Sequence, residues 1–250
     1  MQGTGTNVER TKMSMRVEPE ERPRPHQSYK RELLHRILAL SPQSILDVGC
    51  GEAELLRAAA SAGCANCTGL EVDESLVSKH RSDGLDVRLG CAEALPFPDQ
   101  SFDVVAFDYV AHHLEHLERA LLEAARVARL AVFVLDPWYD VSIDSQQVAL
   151  DFDRWSKTID RRRGWVHNPC VCAAQLAAPF LLLGGFRIDY SYRLMLQAVP
   201  LSTVEASARK QLATIDRCDR LEAALSRLLD RARLHGFTDD GSLCFSALRS

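Results

Sequence analysis

The segment Ile45-Leu46-Asp47-Val48-Gly49-Cys50-Gly51-Glu52 joins an apolar run to the start of a helical pattern. Two glycines there let the backbone turn tightly and approach a ligand closely. Asp47, two residues before the first glycine, suits a ligand bearing a cationic ammonium. A dinucleotide-binding loop would continue as GxGxxG, but Glu54 stands where the third glycine belongs. Asp47, Glu52 and Glu54 would also repel a pyrophosphate, so NAD is disfavoured by charge as well as spacing. About twenty residues on, as in nucleoside-binding α/β proteins, Gly69-Leu70-Glu71 ends the next apolar run. A carboxylate there can accept hydrogen bonds from both hydroxyls of a ribose. Either feature alone reads as an acidic cap on a strand. In this order and spacing they describe a site for a nucleoside that carries an ammonium group.

Elements must exist to position these groups, and the hydropathy pattern supplies them. Apolar runs at 44–48, 67–71, 85–89, 102–107 and 130–135 alternate with helical patterns at 52–62, 74–81 and 115–127. Strands alternating with helices imply crossover connections and a parallel sheet covered on both faces. A further helix is expected from about Tyr29, with Leu33, Leu34, Ile37 and Leu38 at helical spacing. Beyond Asp136 the rhythm changes. Residues 137–168 show no clean strand and are expected to form an irregular insertion on the substrate side. A helix is expected at 171–183, stopped by Gly184 and Gly185, then a strand at 186–194. One long helix or two should fill 203–234, and a last strand 242–248. The polar, proline-containing residues 1–27 read as a disordered arm, leaving 28–250 as one domain.

With both acidic strand ends in place, the sequence resembles the class I S-adenosylmethionine (SAM)-dependent methyltransferases, in particular the small-molecule group that includes the ubiquinone-biosynthesis type. ILDVGCGEAELL is similar to that family's first motif and GLEVDESLV to its second. GCAEALPFPDQSFDVVAFDYVAHHL resembles its third and fourth strands with their connecting loop. The resemblance covers roughly residues 30–136. It implies an α/β, Rossmann-like, seven-stranded, mostly parallel sheet with helices on both faces and an antiparallel last strand. It also implies SAM as cofactor. Asp47, Gly49 and Gly51 would hold its methionine portion, and Glu71 its ribose hydroxyls. Val72 would lie against the adenine, and Ala92 would offer a backbone amide to that ring with Glu93 beside it. Phe107 and Asp108 would line the reactive end. The chain departs from the family at Cys91, where Asp is common and would bond the adenine amino group. It also lacks the usual Pro-Gly-Gly turn before the fifth strand, having VARLAVF instead.

Methyl transfer from a sulfonium is an in-line displacement, in which positioning supplies much of the acceleration. A general base is needed only where the acceptor must lose a proton. His113, with His112 before it, follows the fourth strand and is a candidate to orient an acceptor. Opening the next helix is the plainer role for the pair. Asp136 and Tyr139 lie at the end of the fifth strand, where ligands of open α/β sheets bind. Trp155, Trp165 and His167 fall in the insertion, either as an aromatic lid or as the packed interior of a loop. The catalytic candidates are therefore His113, Asp136 and His167.

The 250 residues carry a formal charge of −4, which gives no general attraction for nucleic acid. The run Arg161-Arg162-Arg163 reads first as a solvated helix face and second as an anion site. No apolar run is long enough to span a bilayer, and the N-terminal residues lack the apolar core of a secretion signal. A cytoplasmic location is expected. The Cys64/Cys67 and Cys170/Cys172 pairs lack the setting or spacing of a zinc site, so no metal is expected. The expected activity is transfer of the SAM methyl group to a small organic acceptor, through O, N, S or C. Two rival readings are methylation of RNA or protein, and SAM binding for regulation without turnover.

Overall fold

The computed structural model describes residues 25–250, so most of the expected N-terminal arm lies outside the described residues. The first helix, α1, spans Pro25–Leu38 and begins four residues before Tyr29. Proline suits a first helical position, because its missing N–H would have no partner there and its φ is already helical. Residues 25–27 thus belong to the folded domain.

Seven strands form one sheet: β1 (Ser44–Val48), β2 (Asn66–Glu71), β3 (Asp86–Leu89), β4 (Phe102–Asp108), β5 (Ala128–Trp138), β6 (Phe186–Arg193) and β7 (Gly241–Arg249). Their order is β3-β2-β1-β4-β5-β7-β6. β7 runs antiparallel to both β5 and β6, and the other pairings are parallel, as the sequence predicts. The order reverses between β1 and β4. Such a switch point leaves a crevice at the carboxyl ends of these two strands.

The alternation of side chains along the strands divides the core into two layers. Leu46, Val48, Val105, Phe107, Val132 and Val134 face one side, against α4 (Leu117–Val127) and α6 (Ala173–Leu183). Ile45, Val104, Ala106, Ala131, Phe133 and Leu135 face the other, against α1 and α2 (Glu54–Ser61). Tyr29, Leu33 and Ile37, at i, i+4 and i+8, are the residues through which α1 docks. Leu33 and Ile37 are fully buried, each stabilising by about 1.5–3 kcal/mol over an exposed position. The Tyr29 hydroxyl then accepts the Met195 amide at 2.8 Å and ties the helix to the segment after β6. α3 (Glu74–Ser82) starts at an Asp73 cap whose carboxylate accepts the Ser75 and Leu76 amides.

The stretch 137–168 differs from the expected irregular insertion. β5 continues to Trp138, and a 19-residue helix, α5 (Asp144–Arg162), occupies most of the remainder. α5 packs with α7 (Leu201–Leu212) and α8 (Asp219–His235) around Trp155, Ile159, Val204, Ala208, Leu225 and Leu229. The 203–234 region is therefore two helices. Its polar α5 carries its apolar face for α7 and α8, partners far away in sequence, so the period is weak when read locally. The irregular segments that remain are 139–143 and 163–172, and both lie at the strand ends that carry the site.

Candidate active site

Strong β-pairing fixes β1 and β2 as rigid supports, and the loop after β1 is pinned to them. The Gly49 and Cys50 amides both donate to the Leu70 carbonyl, at 2.8 and 3.1 Å. To make this turn, Gly49, Gly51 and Ala53 all take positive φ. A Cβ on Gly49 would lie 2.4 Å from Val110 Cγ2, so this glycine is required by both conformation and space. A Cβ on Gly51 would meet nothing closer than 4.0 Å, because the loop faces a cleft there. Ala53 adopts the same conformation with a side chain, a strain of the kind found at ligand-binding loops.

Two hollows share Gly49. One, of about 390 Å³, lies between Val48, Glu71, Val72, Ala92, Val110 and His113. The other, of about 280 Å³, is bounded by Lys30, Asp47, Gly51, Glu54, Asp108 and Tyr109. Together they form a cleft with an apolar-walled end and a charged end.

In the charged end, Asp47 is buried and its Oδ1 has no hydrogen-bond partner. Burial, with the negative charge of Asp108 adding to it, pushes the Asp47 carboxyl well above the usual carboxylate range. Asp108 Oδ1 is likewise unpartnered, and burial raises its carboxyl too, although Lys30 opposes the shift. Lys30 reaches in from α1, with its Nζ 3.1 Å from Asp108 and 2.8 Å from Glu54. Burial opposes its charge, but Asp108 and Glu54 outweigh burial and raise its pKa. The Tyr109 ring, held at positive φ, stacks on His26 of α1 at 5.0 Å between centroids. Two carboxylates, each with one unpartnered buried oxygen, lie beside one ammonium, a charge pattern that can accept an α-amino acid group.

Glu71 stands between the two ends. Its Oε2 accepts the Gly51 amide at 3.0 Å, and its Oε1 accepts the Val72 and Asp73 amides at 2.7 and 3.1 Å. These bonds aim the carboxylate into the cleft and leave acceptor capacity on Oε2. Val72 is 69% exposed, an apolar side chain on the rim of the larger hollow. Ala92 and Glu93 form the opposite wall. The Cys91 thiol donates to Glu93 Oε2 at 2.6 Å. Phe107 differs from expectation. It is wholly buried among core side chains and does not reach the cleft, because alternation along β4 turns it away while Asp108 points in.

Past β4, a single 3-10 turn (Ala111–His113) presents two histidines. His112 is buried, with Nδ1 2.8 Å from Asp136 Oδ1. Asp136 is itself fully buried, so it acts on this imidazole and not directly on an acceptor. His113 opens on the larger hollow, its Nδ1 donating to the Val166 carbonyl at 3.0 Å. His167 pairs with Asp160 Oδ2 at 2.8 Å. The three rings lie 4.3–5.2 Å apart by centroid. Burial lowers the pKa of His113, with the neighbouring His112 adding to the effect. Burial lowers that of His167 to about 4, against the opposing pull of Asp160.

The structure thus gathers Asp47, Gly49, Gly51, Glu71, Val72, Ala92, Glu93, Asp108 and His113 around the cleft, with His167 and Asp136 behind its wall. The other insertion aromatics go elsewhere. Trp155 is buried among α5, α7 and α8, donating its indole N–H to the Leu221 carbonyl. Trp165 is 54% exposed and stacks under Arg163. Arg161 bonds the His167 carbonyl at 2.7 Å and fixes the loop after α5. Tyr139 is half-buried, and desolvation of its hydroxyl pushes the pKa well above the usual range. Lys30, Tyr109, Asp160 and the pairing of His112 with Asp136 were not legible as site features. Lys30 and Asp160 carry no motif, though the second histidine of His112-His113 was a usable signal.

Residues 46–133 match the methyltransferase domain family. Over 92 residues the chain is 33% identical to the uncharacterized methyltransferase YcgJ of Bacillus subtilis, a stretch covering 34% of this chain and 36% of that protein. It is 33% identical over 122 residues to the phthiotriol/phenolphthiotriol dimycocerosates methyltransferase of Mycobacterium tuberculosis, covering 46% and 43% of the two. Against the ubiquinone/menaquinone biosynthesis C-methyltransferase UbiE of Roseobacter denitrificans it is 31% identical over 113 residues, covering 42% and 45%. The matched stretch thus spans less than half the length of these curated relatives. The crystal structure of YcgJ superposes with a TM-score of 0.61 at 17% identity, over 88% of this chain and 98% of that one, which establishes a common fold. The likeness to methyltransferases is thus carried by residues 46–133, and the likeness in fold by the described domain as a whole. Among the described residues, no helix is long and apolar enough to cross a membrane.

Proposed function

We propose that this protein transfers the methyl group of SAM to a small organic acceptor. One observation carries the reading: the buried, unpartnered Asp47 carboxylate lies in a cleft with Gly51 and Lys30, and Glu71 faces the same cleft from the next strand end. That order of groups fits an amino acid joined to a nucleoside, and the carboxylates of Asp47, Asp108, Glu54 and Glu71 disfavour a pyrophosphate.

Bound SAM supplies an electrophilic methyl group on a sulfonium. Asp47 and Asp108 would hold its ammonium, and Lys30 its carboxylate. Glu71 would take the ribose hydroxyls. Val72 would cover one face of the adenine, while the Ala92 amide and the Glu93 carboxylate would bond its edge. His113 lines the larger hollow and would orient the acceptor. His112 and His167 support it, and Asp136 and Asp160 set their ring orientation. The relatives' names support a small acceptor, since two act on lipid-like or quinone-type compounds by description. Arg161 and Arg163 are engaged with the His167 carbonyl and with Trp165 and Asp160, which favours the reading of that run as a solvated helix face.

Calorimetry with SAM, S-adenosylhomocysteine and NAD tests the cofactor half of this reading. Saturable binding of the first two without NAD is expected, and NAD binding without SAM would overturn it. Incorporation of labelled methyl into a panel of small acceptors, against RNA and protein controls, tests the acceptor half.

A further inference from the structure

We infer that His112, His113 and His167 form a binding site for a divalent transition-metal ion of the zinc type at the acceptor end of the cleft. Each residue offers a ring nitrogen, and these lie within 4.8 Å of one another. A metal at 2.0–2.1 Å from each would bring them to about 3.3 Å apart, which small side-chain rotations accomplish.

The hydrogen bonds around the three rings determine which nitrogens are available. In every case Nδ1 faces an oxygen: Asp136 for His112, the Val166 carbonyl for His113 and Asp160 for His167. A carbonyl or carboxylate only accepts, so Nδ1 carries the proton in each neutral ring. The lone pairs therefore reside on the three Nε2 atoms. Metal-binding histidines are oriented in this way, by a carboxylate or carbonyl behind each ring, which fixes the tautomer and raises ligand basicity. The three rings lie 4.3–5.2 Å apart by centroid, close enough to share one cation. Imidazole ligands suit zinc, copper, iron or nickel over magnesium or calcium, which take oxygen.

The supports come from separate parts of the chain, which argues that the arrangement is built. His112 and His113 sit on the 3-10 turn after β4, Asp136 lies near the end of β5, and His167 follows α5. Arg161 holds the His167 carbonyl, and the Asn168 amide donates to the His112 carbonyl at 2.8 Å, locking the two segments together. Three protein ligands leave a fourth position open, as in catalytic zinc sites. His113 opens on the cleft, so that position is where an acceptor oxygen or sulfur would bind and be held as its anion. This role rests on the methyl-transfer reading, whereas the metal site does not.

The test uses the full chain, stripped with a chelator and titrated with Zn²⁺ by calorimetry and with Co²⁺ by visible absorption. One ion per chain is expected, with the cobalt bands of a nitrogen-rich tetrahedral site. His113→Ala and His167→Ala, two positions outside the core, should each abolish this binding while keeping the melting temperature of the metal-free protein. Asp160→Ala should weaken it about ten- to a hundredfold. No saturable binding, binding retained in the double variant of His113 and His167, or a thiolate-to-cobalt band from cysteine would each overturn the site. SAM affinity of the stripped protein, measured in parallel, separates failure here from failure of the cofactor reading.

Discussion

Asp136 Oδ1 and His112 Nδ1 lie 2.8 Å apart inside the protein, at the ends of neighbouring elements that share no contact in sequence. The pair couples the last turn of β5 to the turn after β4. Its other carboxylate oxygen has no partner, and the whole side chain is buried. A buried carboxylate in that state is costly unless it positions something. What it positions is the imidazole at the acceptor end.

Asp136→Asn should therefore lower turnover by roughly ten- to a hundredfold, the effect of losing such an orienting partner. SAM affinity should stay within about twofold, since no cofactor contact of 1 kcal/mol or more is lost. Steady-state kinetics with SAM calorimetry on the same preparation decides this. A parallel loss of SAM binding would place Asp136 in the cofactor site.

Glu71→Ala should weaken SAM binding by ten- to a hundredfold, from loss of charge-assisted hydrogen bonds of about 1.5–3 kcal/mol. The three amides that Glu71 accepts add a second effect. Stripping them should also lower the melting temperature, and Glu71→Gln, which keeps one carbonyl acceptor, should recover much of the stability but less of the affinity. Unchanged affinity in a folded variant would put the ribose elsewhere.

Lys30→Met should weaken SAM by about ten- to a hundredfold, the range for a hydrogen bond to a charged group. The loss should disappear with a SAM analogue that lacks the methionine carboxylate, which has nothing for Lys30 to hold. Equal losses for SAM and analogue would mean that Lys30 only neutralises Asp108 and Glu54.

The acid limb of SAM binding follows from Asp47 and Asp108. Burial raises both carboxyls in the free protein, so protons bind them at a pH where ordinary carboxyls are ionised. Only the ionised forms attract an ammonium. Affinity should thus be constant at higher pH, then fall as pH drops through the raised values, with SAM binding releasing protons in that window. Calorimetry in buffers of different ionisation enthalpy measures the release directly. Asp47→Asn should remove most of it, and a release unchanged in that variant would assign it to another group.

The residues proposed to hold the cofactor are legible in the sequence because they are local. Asp47, Gly49, Gly51 and Glu71 sit at strand ends whose hydropathy marks them, and β-pairing is nearly obligatory for such runs. The strands themselves were readable for the same reason, with β1 matching to the residue. Phe107 was misplaced by proximity in sequence to Asp108, since neighbours on a strand face opposite sides. The helix α5 is hidden because its apolar face meets α7 and α8, which begin only at Leu201 and Asp219. Likewise the three histidines come from two segments whose approach depends on that helix. No spacing rule joins His113 to His167.

That separation gives the last prediction, which divides the region after α5 by residue. Trp165 points away, its ring beneath the Arg163 guanidinium at 3.8 Å, while Val166 lines the larger hollow and His167 faces His112 and His113. An aromatic lid built from the whole stretch would make both Trp165→Ala and His167→Ala harmful to turnover. The geometry separates them. Trp165→Ala removes an exposed cation–π contact of about 0.5–1 kcal/mol and should leave turnover and SAM affinity within twofold. His167→Ala should cut turnover at least tenfold with SAM affinity unchanged, because it withdraws one of three converging ring nitrogens and the Asp160 support behind it. Thermal melts of both variants control for folding. If Trp165→Ala proves the more damaging, the loop swings over the cleft during catalysis and the arrangement seen here is its open form.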